Sequence, residues 1–358
     1  MADLSSRVDF YLRGGDRGRR DVTFDWKWFS KLPTAHFVDA RRRVRSLLGK
    51  IDEKYSPVYS LAWLEKHAEK LWETRELLVD EVSRRQFDDA IVLKIVGYRR
   101  FYFYPEAFDV YIKCNEIKPF AHDKLPGEYM GLPLYLQKVE RQGHATIVAN
   151  NEFVESVNRY RQYFVKRAGI DFAPQPGETV LDCGACIGEV ATVFAMHVGE
   201  RGQVHMFDPM PAHAAFCNLQ KELNPHLAGC MHVAPMAVGA VSNGLNGKNN
   251  GLKDEAVKIR PDAVPDDSFP FVSIDDYVKE RNLRVDVIKM DIEGGEGDAL
   301  KGAERTLREM KPRLMISVYH KHDDLWALRE RIQAANPEYA FYFGHHTPVQ
   351  WESILYAV

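Results

Sequence analysis

The sequence predicts an α/β fold, a doubly wound, mostly parallel sheet of seven strands with helices on both faces. From Pro176 onward, short apolar runs alternate with amphipathic stretches of helical length, as in strand–helix–strand units. Only Gly344 to Glu352 separates the last two runs, which leaves no room for a helix. These two strands are therefore expected to pair antiparallel at one edge of the sheet.

Each predicted strand is an apolar run of the length that a buried strand has. The runs are Thr179–Leu181, Val204–Phe207, Met231–Val233, Val287–Met290, Leu314–Tyr319, Tyr339–Phe343 and Ile354–Ala357. The predicted helices between them are Glu189–Val198, Ala212–Leu223, Ile274–Arg281, Asp298–Met310 and Asp323–Ala335. Ser242–Pro270, rich in Gly, Asn, Asp and Pro, interrupts this order and is predicted to be a long loop or a small hairpin.

The N-terminal part has a different pattern, and residues 1–150 are predicted to form a separate, mixed and largely helical domain. Leu61–Leu78 and Phe87–Val96 carry apolar residues at helical spacing, and Asn158–Ala168 is predicted to be a helix that leads into the sheet. Residues 151–358 would then form the sheet domain.

Composition restricts the class of protein. The 358 residues are 45% hydrophobic and 28% charged, with a formal net charge of −3, which is typical of a soluble globular protein and argues against a nucleic-acid partner. No apolar run reaches the roughly 18 residues of a membrane span, and no secretory signal is visible. The five scattered cysteines indicate a reducing, cytoplasmic location. Arginines cluster at positions 17–20 and 41–45, as on a docking surface for an acidic partner or a solvated helix face.

A glycine-rich turn follows the first predicted strand and opens a helix. Glycine lets the main chain approach a ligand at the strand end, where open α/β sheets bind ligands. The carboxylate of Asp182 can balance the charge of a sulfonium cofactor or of its amino group. Asp208 ends the second strand, where an acidic residue can bind both ribose hydroxyls of an adenosine. The candidate cofactor-binding residues are Asp182, Gly184, Ala185, Gly188, Glu189 and Asp208.

The spacing of the glycines distinguishes two cofactors. Asp182-x-Gly184-x-x-x-Gly188 lacks the third glycine of the G-x-G-x-x-G turn that holds a dinucleotide pyrophosphate, so S-adenosylmethionine (SAM) is favoured over NAD. A turn without any ligand is the remaining alternative. Six strands with helices plus a returning seventh is the layout of the common SAM-dependent methyltransferase fold. Cys183 and Cys186 lie inside the turn and are interpreted as small packing residues rather than a redox pair or half a zinc site.

The sequence resembles the FkbM-type methyltransferase family over about residues 155–358. The matching stretches are Ser273–Tyr277, Ile288–Glu296, Leu300–Ala303 and Pro312–Leu314. The resemblance implies O-methylation, often of a sugar hydroxyl in a glycan, a lipid-linked sugar or a natural product. Two positions depart from the family pattern: Cys186, where many members have Asn or another small polar residue, and Ser317–His320, where many have a glutamate. The second departure puts the catalytic base in doubt.

Three polar clusters follow later strands and are expected at the same carboxyl edge of the sheet. They are Asp291 with Glu293; His320 with His322, Asp323 and Asp324; and His345 with His346. The candidate catalytic residues are His320, Asp291 and Glu293, with His320 as general base near neutral pH. The same three are candidate ligands for Mg or Mn holding the sugar hydroxyls. Helix caps or exposed turns are the structural alternatives for these clusters.

The function predicted from the sequence is SAM-dependent O-methylation of a small-molecule or glycan acceptor, as in polysaccharide modification. The alternatives are an NAD-dependent nucleotide-sugar oxidoreductase or epimerase and a non-catalytic subunit with the SAM fold. The N-terminal domain is a candidate for acceptor binding or for oligomerisation, including a homo-oligomer. The sequence does not specify the acceptor, the methylated position, the need for a metal or the oligomeric state.

Overall fold

The structure, a computed structural model, describes residues 59–96, 123–129, 132–141, 143–150, 161–242, 244–248, 268–347 and 351–358. It divides into two compact units. One comprises residues 1–118 and 343–353, and the other residues 119–342 and 354–358. The division falls before residue 150, and the domain boundary expected there, with residues 151–358 as the sheet domain, stays a prediction.

The first unit is helical in its described residues. Its helices are α1 (Leu61–Lys66), α2 (Ala68–Leu77) and α3 (Glu81–Val96). Leu61–Leu78 was expected to be one helix, but His67 has a non-helical ψ of 11° and separates α1 from α2. The helix expected at Phe87–Val96 is the second part of α3. The arginine clusters at positions 17–20 and 41–45 lie outside the described residues.

A small antiparallel sheet opens the second unit. Its strands are β1 (Asp123–Tyr129), β2 (Leu132–Arg141) and β3 (Gly143–Ala149). Gln220 and Asn224 bond to the main chain of β3: the Gln220 amide to the N–H and carbonyl of Val148, the Asn224 amide to those of Thr146. These contacts explain why β1–β3 belong to the unit that contains the large sheet.

The helix predicted at Asn158–Ala168 is wrong for its described part, residues 161–168. That part contains β4 (Lys166–Arg167), which pairs antiparallel with β5 (Ile170–Asp171). Ala168 and Gly169 between them have positive φ angles of 50° and 84°, as a two-residue hairpin turn requires. Two successive residues with positive φ angles cannot belong to a right-handed α-helix.

The large sheet confirms the predicted fold class. Its strands are β6 (Thr179–Cys183), β7 (Gln203–Phe207), β8 (Met231–Ala234), β12 (Val287–Met290), β13 (Arg313–Ser317), β14 (Phe341–His345) and β15 (Ser353–Ala357). The order is β14-β15-β13-β12-β6-β7-β8. Strands β13, β12, β6, β7 and β8 are parallel, and β15 runs antiparallel to β13. Pairing of residue 340 with 358 and of residue 346 with 352 shows that β14 and β15 are antiparallel, as predicted.

The helices that cover the sheet also agree with the sequence pattern. They are α4 (Glu189–Val198), α5 (Pro211–Leu223), α6 (Ile274–Glu280), α7 (Glu296–Lys301), α8 (Glu304–Glu309) and α9 (Asp324–Ala335). The helix expected at Asp298–Met310 is two helices. Asp275 of α6 accepts the main-chain N–H groups of Arg305 and Thr306, which caps a new helix start. The sequence near Gly302 does not show this remote cap.

The segment Ser242–Pro270 contributes strands at its ends. A three-stranded sheet is formed by β9 (Ala237–Val238), β10 (Gly244–Lys248) and β11 (Ser268–Val272), in the order β10-β11-β9. Strands β10 and β11 are antiparallel, which fits the hairpin alternative, while residues 249–267 lie outside the described part.

Among the described helices, none is long and apolar enough to span a membrane.

Candidate active site

The glycine-rich turn adopts the close, left-handed main chain that the sequence indicates. Gly184, Cys186 and Gly188 have φ angles of 81°, 51° and 82°. The N–H groups of Gly184 and Ala185 both donate to the carbonyl of Phe207 at the end of β7. The turn is therefore fixed at the carboxyl edge of the sheet, between β6 and the start of α4.

A second loop packs directly against this turn. A Cβ at Gly184 would overlap the main-chain carbonyl oxygen of Asp291, so only glycine allows this approach. Asp291 follows β12, the strand beside β6. The predicted cofactor turn and the predicted catalytic loop are thus in van der Waals contact.

A buried ion pair lies beneath the two loops. Lys289 Nζ is 2.9 Å from Asp182 Oδ1 and donates to the Gly184 carbonyl at 2.6 Å. The side chains of Lys289 and Asp182 are 4% and 0% exposed. Burial lowers the pKa of Lys289, but Asp182 and Asp291 raise it more, and the lysine remains a cation. Asp182 was predicted to face the cofactor charge; in the structure it neutralises Lys289.

Glu189, the first residue of α4, is a buried carboxylate. It is 4% exposed, and burial raises its pKa to about 8. Its Oε2 atom has no hydrogen-bond partner within the described part of the chain. A buried oxygen without a partner is expensive, so this carboxylate fits a site that receives a ligand donor or a cationic group.

Asp208, the predicted ribose ligand, is buried rather than exposed at its strand end, with 8% exposure. Its Oδ2 accepts the N–H of Cys186 at 3.1 Å, and its Oδ1 accepts that of Met210 at 3.0 Å. Nδ1 of His213 lies 2.8 Å from Oδ1. Because a carboxylate has about four acceptor positions, three protein donors leave room for about one ribose hydroxyl instead of two.

Asp291 collects hydrogen bonds from two phenols. Tyr319 OH donates to both oxygens of Asp291, at 3.0 and 3.1 Å, and Tyr163 OH donates to Oδ2 at 3.2 Å. His320 Nε2 lies 3.4 Å from Oδ1. These donors hold the carboxylate in one orientation and occupy most of its acceptor positions.

His320 was expected directly at the strand end; β13 ends at Ser317, and His320 lies three residues beyond it, with its side chain 9% exposed. Its Nδ1 is 2.9 Å from Glu296 Oε1, and its Nε2 is 3.7 Å from Glu293 Oε2. Burial lowers the pKa of His320, but Glu296, Asp291 and Glu293 together raise it more, to about 10. An imidazolium at neutral pH donates hydrogen bonds and carries positive charge, which does not suit the role of base near pH 7.

Glu293 is the exposed member of this group. Its side chain is 68% exposed, whereas that of Asp291 is 22% exposed. Its φ angle of 55° and that of Gly294, 96°, place the loop in the left-handed region. A positive φ at a non-glycine residue is uncommon, and such strain is concentrated at functional sites.

One group of side chains has the spacing of a metal site. Single ligand atoms of Asp291, Glu296 and His320 all lie within 4.8 Å of one another. Glu296, rather than the predicted Glu293, is the third candidate metal ligand in this group. Its Oε1 also accepts the N–H of Ile292 at 3.0 Å.

The remaining polar residues of the predicted clusters have local structural roles. Asp324, the first residue of α9, accepts the N–H of Lys321 before the helix, and Asp323 at the N-cap position makes no side-chain cap hydrogen bond. His345 is buried in β14, and its Nδ1 lies 2.8 Å from Ser353 Oγ. His345 and His346 belong to the first unit, not to the one that carries Asp291.

Sequence reasoning missed several residues of the site. They are Tyr129, Tyr163, His213, Lys289, Glu296 and Tyr319. Lys289 could have been found, because a lysine inside the apolar run Val287–Met290 must be paired when it is buried. Tyr129 and Tyr163 gave no signal, because their partners are distant in sequence.

Comparisons with known proteins concern mainly the part of the chain that carries the large sheet. Residues 182–346 match the model of the Methyltransferase FkbM domain family, which confirms the resemblance stated from the sequence. A search of curated proteins finds no match. The structure is similar to the methyltransferase FkbM from Methylobacillus flagellatus KT, with a TM-score of 0.52 and 21% identity, over 83% of this chain and 60% of that one. At this identity the similarity shows the fold, and the chain spans only 60% of that protein.

Two weaker similarities concern proteins whose structures contain a ligand. One is fibrillarin from Aeropyrum pernix with natively bound S-adenosyl-L-methionine, with a TM-score of 0.38 and 12% identity over 65% of this chain and 85% of that one. The other is the O-methyltransferase from Bacillus cereus in complex with SAH, with a TM-score of 0.33 and 13% identity over 51% of this chain and 73% of that one.

Proposed function

We propose that the region matching the FkbM methyltransferase domain, residues 182–346, transfers a methyl group from SAM to a hydroxyl group of a sugar in a glycan, a lipid-linked sugar or a natural product. The observation that carries the proposal is the contact between two loops at the carboxyl edge of the sheet. The loop after β6 presents main chain and buried carboxylates, and the loop after β12 presents an exposed carboxylate beside a cationic histidine.

The residues of the first loop fit a nucleoside with a positive charge. Glu189 offers a buried oxygen without a partner, and Asp208 retains acceptor capacity at the end of β7. Gly184, Ala185 and Gly188 bring main chain close to the ligand without intervening large side chains. When bound, SAM supplies an activated methyl group, so positioning of the acceptor supplies much of the rate.

The second loop would handle the acceptor proton. Asp291 is held by Tyr163, Tyr319 and His320 and therefore suits the task of orienting a hydroxyl group. Glu293 is the more accessible proton acceptor, because its carboxylate is far more exposed. Nε2 of His320 lies 3.7 Å from Glu293 Oε2 and would help to hold this carboxylate beside Asp291. This assignment replaces His320 as general base.

A divalent metal is a second way to use the same cluster. Asp291 and His320, with either Glu293 or Glu296, offer the oxygen and nitrogen atoms that Mn accepts, and Mg accepts their oxygens. A metal would require a neutral His320, so metal and proton compete for this site. The metal alternative predicts that Mn²⁺ binds the full chain, seen by electron paramagnetic resonance, and that excess EDTA abolishes turnover. Full turnover in EDTA would exclude it.

The test of the proposed function uses the full chain. Isothermal titration should show binding of SAH and none of NAD. Incubation with SAM and a panel of glycan acceptors should yield a product heavier by about 14 mass units, because one methyl group replaces one hydrogen. Tight binding of NAD without SAH would instead favour the oxidoreductase or epimerase. Binding of SAH without any methylated product would favour the non-catalytic subunit.

A further inference from the structure

Four residues form a closed ring of hydrogen bonds around the carboxylate of Asp208. Tyr129 OH lies 2.8 Å from His213 Nε2 and 3.1 Å from Cys186 Sγ. His213 Nδ1 lies 2.8 Å from Asp208 Oδ1. The N–H of Cys186 closes the ring by donating to Asp208 Oδ2 at 3.1 Å. The ring joins β1, the glycine-rich turn, the end of β7 and α5.

The chemistry of the partners assigns a direction to the hydrogens. The Asp208 carboxylate only accepts, so Nδ1 of His213 carries a hydrogen. In a neutral imidazole, Nε2 is then an acceptor and receives the hydrogen of the Tyr129 hydroxyl. Burial raises the pKa of Cys186 well above its usual value, which keeps the thiol protonated and able to donate to the Tyr129 oxygen. Tyr129 thus fixes the tautomer of His213, and His213 fixes Asp208.

The ring is buried, and buried polar atoms need hydrogen-bond partners. Tyr129, Asp208 and His213 are 4%, 8% and 8% exposed, so each polar atom needs its partner. The ring also acts on the main chain of the turn, since Cys186 has a positive φ of 51°. Apolar side chains would fill the same space without these requirements. The arrangement therefore suits the orientation of Asp208 better than packing alone.

We propose that His213 and Tyr129 are positioning residues that orient Asp208 toward one ribose hydroxyl of the cofactor. This inference rests on the proposed function, because it assumes a cofactor with a ribose. With three protein donors in place, Asp208 retains about one acceptor position, so it discriminates between the two hydroxyls of the ribose. The two monodeoxy analogues of SAH are the probes for this property.

The experiment compares full-chain variants by isothermal titration with SAH, 2′-deoxy-SAH and 3′-deoxy-SAH. His213→Leu removes the donor to Asp208 and should weaken SAH binding about tenfold, and Tyr129→Phe should weaken it about threefold. His213→Asn should restore most of the affinity, because the Asn amide nitrogen occupies nearly the position of Nδ1. Tyr339→Phe is the matched control: it removes a buried phenol that donates to Pro312, outside the ring, and should leave SAH affinity unchanged.

The analogues separate positioning from a structural effect. The analogue that lacks the hydroxyl bound by Asp208 should bind the wild type more weakly than SAH does. His213→Leu should bind this analogue with the same affinity as the wild type does. Equal losses for SAH and both analogues would overturn the inference, as would wild-type affinity in His213→Leu and Tyr129→Phe. If His213→Leu fails to fold, Tyr129→Phe and His213→Asn decide between these outcomes. A wild type that binds no SAH would instead refute the proposed function.

Discussion

The two loops of the site differ in how their charges are arranged. The carboxylates on the cofactor side are buried, and Asp182 and Asp208 are held by protein partners, as in the pair of Asp182 with Lys289. On the acceptor side, Glu293 is 68% exposed beside the histidinium of His320. Charges of the first kind stabilise one main-chain arrangement, whereas those of the second kind are accessible to a substrate. Substitutions should therefore change stability and binding on one side and the rate on the other.

The largest effect is expected on the acceptor side. Glu293→Gln removes the proposed proton acceptor and should lower kcat by about 10²–10⁴-fold. The free energy of unfolding should change by less than about 0.5 kcal/mol, because the side chain is exposed. Glu309→Gln, another exposed glutamate, is the control, and its kcat should be that of the wild type. A normal kcat in Glu293→Gln, measured with the methylated acceptor, would remove Glu293 from the mechanism.

Lys289→Met should have the largest effect on the cofactor side. It leaves the buried carboxylate of Asp182 without its counter-ion and should lower the free energy of unfolding by about 3–5 kcal/mol. The double variant Asp182→Asn/Lys289→Met should recover much of this loss. Urea unfolding of the single and double variants measures both values. A loss of less than about 1 kcal/mol in Lys289→Met would show that the pair does not hold the loops.

Gly184→Ala tests the contact between the loops. Gly177 has nearly the same positive φ, 88° against 81°, but open space around its Cα. Gly177→Ala should therefore lose only the roughly 1 kcal/mol of left-handed strain. Gly184→Ala also meets the Asp291 carbonyl and should lose roughly 2–3 kcal/mol more. If thermal unfolding shows the same loss of stability in Gly184→Ala and Gly177→Ala, the turn at Gly184 and the loop at Asp291 can move apart without a loss of stability.

His320 provides a pH test of the acceptor side. Because its pKa in the folded protein is raised to about 10, its stabilising effect is complete below its ordinary value, near 6.5, and is lost as the pH rises through about 10. The difference in unfolding free energy between wild type and His320→Gln should shrink over that interval. Titration of the His320 ring near pH 6.5, followed by nuclear magnetic resonance, would restore it as a candidate base.

Glu189 gives the smallest expected change. Its pKa is raised to about 8 by burial, so the carboxylate is mostly protonated at pH 7. If only the ionised form binds the cationic part of the cofactor, SAH affinity should rise about tenfold from pH 7 to 9. The amino group of SAH can cause part of this pH dependence, and that part should remain in Glu189→Gln. The part caused by Glu189 should be absent from the variant. An identical pH profile in both proteins would show that Glu189 does not meet the cofactor.

The same comparison explains what the sequence could predict. Gly184, Gly188 and Asp208 could be selected as candidates because the expected turn and acidic residue are spaced along two neighbouring strands, which a local pattern records. Asp291 and His320 could be expected near each other because both follow strands of one sheet, and their side chains lie 3.4 Å apart. The charge of His320 could not be predicted, since it depends on Glu296, which packs against it only after folding. Tyr129 was equally invisible, because it lies 84 residues from His213.

The position of β15 has a consequence for synthesis on the ribosome. In the sheet, β15 lies between β13 and β14, although β14 precedes it in sequence. When β14 has just been synthesised, the strand to which it will bond has not yet been made. Until residues 353–357 follow, the growing sheet ends at β13, with the Leu314–Ser317 edge that β15 will cover still unpaired. An unpaired strand edge can pair with another chain, and β15 removes this hazard at β13.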